Sequence, residues 1–206
     1  MSVLSKLASM QDRRDEEPNK ALGQELARTR DIAGIREIAE NLWNEDAKIQ
    51  SDCDGVMEEI GRNAPELIEA YVFDFLKLLS SKRNHRVWQS MICLALIADR
   101  KPREIFENRE TIVRAMENGS VITLDNGIKT LAKVASAEDA YHRELFPYLL
   151  EQLRSCRSKS VPQYAESILC AVNSENSAAY KDVLTRRYEA LSAAQQRRIE
   201  KILKQV

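Results

Sequence analysis

One apolar position recurs along this chain at a fixed interval, and that interval restricts the fold more than any other feature. Ile60, Ile97 and Val134 stand 37 residues apart, and Val172 follows 38 residues after Val134. Met57, Leu94, Leu131 and Leu169 keep the same register, as do Phe75, Ile112 and Leu149. Leu42, Leu79, Met116, Leu153 and Leu191 form a further series. The one longer step is assigned to an extra residue in the loop RSCRSKSVP, residues 154–162. Pro65 and Pro102 share the register too, each opening a segment where a missing N–H is harmless to a helix.

Within one period the apolar residues fall at helical spacing. Val87, Met91, Leu94 and Ile97 share one face of a helix, and Phe75, Leu76 and Leu79 mark the helix before it. Two amphipathic helices cannot bury their apolar faces alone, so successive pairs must stack and share a core. Only 6 Gly and 5 Pro interrupt 206 residues, which leaves strong helix formers almost everywhere. The expected fold class is all-α.

The best copy of the unit, PELIEAYVFDFLKLLSSKRNHRVWQSMICLALIADRKP, reads as outer helix, polar turn, inner helix, turn and proline. It resembles a HEAT or armadillo-type repeat, and the resemblance extends from about Asp31 to Leu191. What it implies is a right-handed α-α superhelix, a HEAT-like solenoid of about five helical hairpins. The copy departs from the usual HEAT pattern at two places. Asn84 occupies the turn where many HEAT repeats carry Asp, and Trp88 stands where a basic residue is usual.

Residues 1–206 are expected to form a single HEAT-like repeat domain with two distinct ends. Residues 1–17 read as a loosely docked N-terminal segment, with Val3, Leu4, Leu7 and Met10 on one side and the polar run QDRRDEEPN behind them. Residues 192–206 read as a C-terminal capping helix. Ser192 and Gln195 have capping-box spacing, and Ile199, Ile202, Leu203 and Val206 supply the apolar face.

Lys and Arg number 31 against 32 Asp and Glu, a balance that favours protein partners over polyanions. The four cysteines form no CxxC pair, and His85 and His142 stand alone, so neither a metal site nor a cofactor is expected. The N-terminus lacks the apolar core of a signal peptide and no run approaches membrane-spanning length, so the expectation is a cytoplasmic protein with no membrane contact. There is no Gly-rich phosphate loop, no GxSxG and no His patterned to activate a cysteine. No catalytic residue is assigned, and enzymatic activity is not expected.

In a solenoid the inner helices line a concave surface, and equivalent positions on adjacent units become neighbours. The register places Ser51, Trp88 and Asp125 in one row, continued by Gln163 after the extra residue, and Tyr164 and Lys129 in the rows beside it. The candidate binding residues are therefore Trp88, Asp125, Lys129, Gln163 and Tyr164. Trp88 would supply apolar contact, Gln163 and Tyr164 would orient a ligand by hydrogen bonds, and Asp125 and Lys129 sit four apart on one helix. The same rows also suit an ordinary solvated inner surface.

The expected function is a non-catalytic scaffold that binds a protein or peptide through its concave face or C-terminal end. The alternative is a nucleic-acid-binding module, including an enzyme similar to the HEAT-like alkylpurine DNA glycosylases. That resemblance implies a carboxylate and aromatic residues in a concave cleft, for which Asp125 and Trp88 match in residue type.

Overall fold

The apolar register is realised as a succession of short helices. The computed structural model describes residues 2–206, and among them there are twelve α-helices, several short 3-10 segments and no strand. Two compact units divide the chain, Met1–Asn126 and Gly127–Val206. Among the described residues no helix is long and apolar enough to cross a membrane.

The first unit holds α1 (Glu17–Thr29), α2 (Ile32–Glu40), α3 (Ala47–Asn63), α4 (Val72–Leu78), α5 (Asn84–Ile97), α6 (Pro102–Glu107) and α7 (Arg109–Asn118), with the start of α8 (Val121–Ala135). Its central element is α3, which packs on α1 along one side and on α5 along the other, making one layer. Gly23 permits the close approach of α1, since a Cβ there would lie 2.6 Å from Glu59 Cβ. Against it pack α2, on α3, and α4, on α5, with α6 beside α4. Met57, Ile60, Leu94 and Ile97, all fully buried, form the core between layers, as the register requires.

Individual residues set where the helices begin. Asp31 caps α2, its Oδ1 accepting from the Gly34 N–H at 3.0 Å. Pro102 opens α6, whereas Pro65 opens a 3-10 turn, residues 65–67, ahead of α4.

The N-terminal segment differs from the loose docking anticipated for it. Leu7 is 0% and Ala8 3% exposed, so this stretch belongs to the core of the first unit. Three backbone N–H groups anchor it: Val3 to Glu37 Oε2 at 2.9 Å, Ala8 to Asn19 Oδ1 at 2.9 Å and Ser9 to Asp52 Oδ2 at 2.8 Å. Apolar burial combined with satisfied polar groups is what makes a terminal segment hold.

The second unit holds the rest of α8, then α9 (Asp139–Ser155), α10 (Val161–Ile168), α11 (Ser177–Tyr188) and α12 (Ala193–Leu203). Here α9 packs on α11 and α10 on α12, and the expected capping box of α12 is formed by Ser192 and Gln195. Tyr180 is locked in the core by donating its hydroxyl to Ala165 O at 2.7 Å. Arg187 caps the end of α9, donating from Nη2 to Cys156 O at 2.5 Å.

The extra residue does not lie in the loop 154–162. Ile168 and Ala171, 37 residues after Leu131 and Val134, are the buried members of the series, while Leu169 and Val172 are half-buried. The step lengthens only afterwards: Val183 and Leu184 of α11 follow Leu145 and Phe146 of α9 by 38 residues. The added residue therefore enters the turn between α10 and α11.

Candidate functional site

Spacings of three and four along two helices build one cleft. Ser51, Asp52, Gly55, Glu58 and Glu59 share a face of α3, and His85, Trp88 and Gln89 share a face of α5. The start of α1 and residues 8–16 close one side, and the enclosed volume is about 750 Å³. Gly55 keeps the floor open, since a Cβ added there would meet only Gln89 Nε2, at 3.6 Å.

Trp88 is half-buried, and its indole is held edge-to-face by His85 with ring centroids 4.6 Å apart at 74°. Three side-chain atoms of cleft residues are buried behind its surface and make no hydrogen bond within the protein: Ser9 Oγ, His85 Nδ1 and Gln89 Oε1. Gln89 is only 5% exposed, so leaving its carbonyl oxygen without a partner is costly.

Two of the three carboxylates on the floor are held without a counter-ion. Asp52 accepts from Ser9 N and Asn19 Nδ2, each at 2.8 Å, and Glu59 Oε1 accepts from Gln24 Nε2 at 2.9 Å and Asn63 Nδ2 at 3.0 Å. All four donors are uncharged. Glu58 is paired with Arg62 at 2.7 Å. Cations stand at the rim: Arg13 is bound to Asp15 at 2.7 Å and Lys20 to Glu17 at 3.3 Å, while Arg14 and Lys48 are exposed. The hydrogen bond from Arg13 holds the Asp15 carboxyl below its usual range.

No cysteine lines the cleft. Cys53, on the opposite side of α3, is fully buried, and burial pushes its thiol up to about 12. Burial likewise raises the Cys93 thiol well above the ordinary value. Among the described residues no group of three potential ligands could hold a metal ion.

Of the five residues expected from the sequence, the cleft takes in Trp88 alone. Asp125 is half-buried on α8, Lys129 is exposed further along that helix, and Gln163 is exposed on α10. Tyr164 is 1% exposed, so its expected role of orienting a ligand does not stand. The unbroken register explains this, since it aligns Tyr164 with buried Gly127 rather than with Asn126.

Sequence reasoning missed the contribution of His85, although its place one turn before Trp88 is a usable signal. It also missed Ser9, for which no local pattern exists. The expected absence of a basic partner early in the inner helix was mistaken as well, because Arg86 fills that role against Asp54. Trp43 lies elsewhere and is occupied within the protein, donating from Nε1 to Asp74 Oδ1 at 2.9 Å beneath the Lys77 ammonium.

No protein-family model matches the sequence, and no curated protein matches it at a significant level. Solved structures do. An engineered protein is similar over 99% of this chain and 96% of its own, at 19% identity and a TM-score of 0.68. A designed armadillo repeat protein in complex with the peptide (KR)4 is similar over 98% of this chain and 99% of its own, at 13% identity and a TM-score of 0.68. The karyopherin Kap121p, bound to the SUMO protease Ulp1p, is similar over 97% of this chain and 22% of its own, at 12% identity and a TM-score of 0.67. Identities this low speak to architecture, and that architecture, matched over nearly the whole length, is the armadillo/HEAT type of helical-repeat solenoid.

Proposed function

We propose that this protein is a non-catalytic scaffold that holds an extended segment of a partner protein against α3 and α5, with Trp88 as its main apolar contact. The observation that carries this reading is the 750 Å³ cleft built around Trp88. A half-buried tryptophan beside the carboxylates of Asp52 and Glu59 is the mixture of anchor and orienting groups that recognition sites use. The fold adds support, since a designed armadillo protein of this architecture binds a peptide and a karyopherin binds a protein.

Nucleic acid is the weaker partner. Asp52, Glu58 and Glu59 line the floor and would repel phosphate. Asp125 does not line the cleft of Trp88, so the aromatic–carboxylate pairing behind the glycosylase alternative lacks support. Asp125, Lys129 and Gln163 are retained as separate candidate contacts. The four free cysteines support a reducing compartment such as the cytoplasm.

The test is affinity capture from cell extract with the wild-type chain and with Trp88→Ala, followed by titration of each captured protein. The reading expects at least one partner to bind about tenfold more weakly to the variant, with thermal stability nearly unchanged. Equal binding of every partner to both proteins would remove it.

A further inference from the structure

We propose that a second site on the first unit binds the C-terminal residue of a partner chain, taking its carboxylate and its aliphatic side chain together. The site is the groove between the end of α4, the start of α5 and α7, which encloses about 340 Å³. It shares no lining residue with the cleft of Trp88.

Charge selects an anion. Lys82, in the turn before α5, and Arg114, on α7, line the groove, and among the described residues no carboxylate lines it with them. Neither side chain has a hydrogen bond or ion pair within the described protein. Glu110 stands four residues before Arg114, the spacing at which Glu58 binds Arg62 and Asp182 binds Arg186, yet that pair is not made. The uncapped start of α5 and the end of α7 both lie at the groove, and their opposite half-charges offset each other. The remaining field is that of two cations without a counter-ion.

The floor selects which anion. Leu79, Val87 and Ala115 form it, 6%, 7% and 8% exposed, so an apolar surface lies beside the two cations. A phosphate group would use the cations and leave this surface bare. An internal aspartate or glutamate would put its charge at the end of the side chain and bring no apolar group. A C-terminal aliphatic residue satisfies both parts, because its carboxylate and its side chain branch from one Cα. Capture of a terminal carboxylate is an established mode of peptide recognition. The volume is at the low end for ligand pockets, which suits about one or two terminal residues rather than a long segment.

The experiment uses the full chain and four fluorescently labelled pentapeptides, read by anisotropy at low salt. The first is built of glycine and serine and ends in leucine with a free carboxylate. The second is the same peptide with a C-terminal amide, and the third ends in serine instead of leucine. The fourth is the amidated peptide with a central phosphoserine. The first should bind about tenfold or more tightly than each of the others, and its affinity should fall as salt is raised. Arg114→Gln and Lys82→Gln should each weaken it by about fivefold or more. Both side chains are exposed, so the melting temperatures should stay unchanged.

Equal binding of the amidated or serine-ended peptide, preference for the phosphoserine peptide, no binding of the first peptide, or unchanged affinity in either variant would each overturn the proposal. Trp88 lies outside the groove, so none of these results bears on the cleft.

Discussion

Arg86 of α5 reaches across to Asp54 of α3 and binds it with both arms of its guanidinium, Nε to Oδ2 at 2.7 Å and Nη2 to Oδ1 at 3.1 Å. The two residues are 4% and 3% exposed, and Nη2 also donates to Leu42 O at 2.6 Å. Burial pushes the Asp54 carboxyl up, and the hydrogen bonds from Arg86 oppose that shift. Truncating either partner leaves the other charge buried and uncompensated. Asp54→Ala and Arg86→Ala should each lower stability by about 3–5 kcal/mol in urea denaturation. The double variant Asp54→Leu/Arg86→Met should cost far less than the sum of the two, and full additivity would show that the pair does not act as a unit.

Two glycines on the packed helices α1 and α3 should respond in opposite directions. A Cβ at Gly23 would lie 2.6 Å from Glu59 Cβ and 3.1 Å from Val56 O, neither of which can swing away. Gly23→Ala should therefore destabilise by about 1–3 kcal/mol through overpacking. At Gly55 the nearest atom would be Gln89 Nε2, the end of a flexible side chain at 3.6 Å. Gly55→Ala should stabilise by about 0.5–1 kcal/mol by restricting the unfolded chain. Thermal melts of the two variants, moving the same way, would contradict the packing described for α1 and α3.

Leu7 is fully buried in a segment that looked peripheral in sequence. Leu7→Ala should cost about 2–5 kcal/mol, the range for large-to-small changes in a packed core. It should also raise amide exchange at Ala8 and Ser9, whose N–H groups bind Asn19 and Asp52. A loss below about 1 kcal/mol would mean that the segment adds little to the fold.

Alkaline pH should weaken the protein through its buried thiol. Cys53 is pushed up to about 12 by burial first, then by the carboxylates of Asp54 and Asp52. Its unfolded value is about 8.5, so above that pH the folded protein holds a proton that the unfolded chain has released. Its contribution is present in full below about pH 8.5 and then declines by up to about 1.4 kcal/mol per pH unit towards the folded value. Stability measured from pH 9 to 10.5 should fall less steeply in Cys53→Ala. Equal slopes would place Cys53 in a wetter setting than the structure shows.

The fold was legible because it rests on repetition. Ile60, Ile97 and Val134 are each 0% exposed, and their spacing alone announces stacked hairpins. The register slipped at the last inner helix for a chemical reason. Ile168 precedes Leu169 and Ala171 precedes Val172, so two adjacent apolar series compete and the sequence favours the bulkier one. That slip carried Tyr164 onto the expected concave face, when the ring in fact fills the core. The cleft was only partly visible. Trp88 stood out as an aromatic on an inner helix, but Ser9 joins it through a hydrogen bond to Asp52, 43 residues away. Asp54 and Arg86 are 32 residues apart, off the repeat period, so no periodic comparison brings them together.

Every residue that lines the cleft lies between Ala8 and Gln89. During vectorial synthesis every residue of the cleft is therefore made before α6, since domains tend to fold from the N-terminal side as they emerge. Ser9 and Asn19 must wait for Asp52 to be made, and Trp88 and Gln89 arrive last. A partner present at that moment would meet a finished cleft on an unfinished chain.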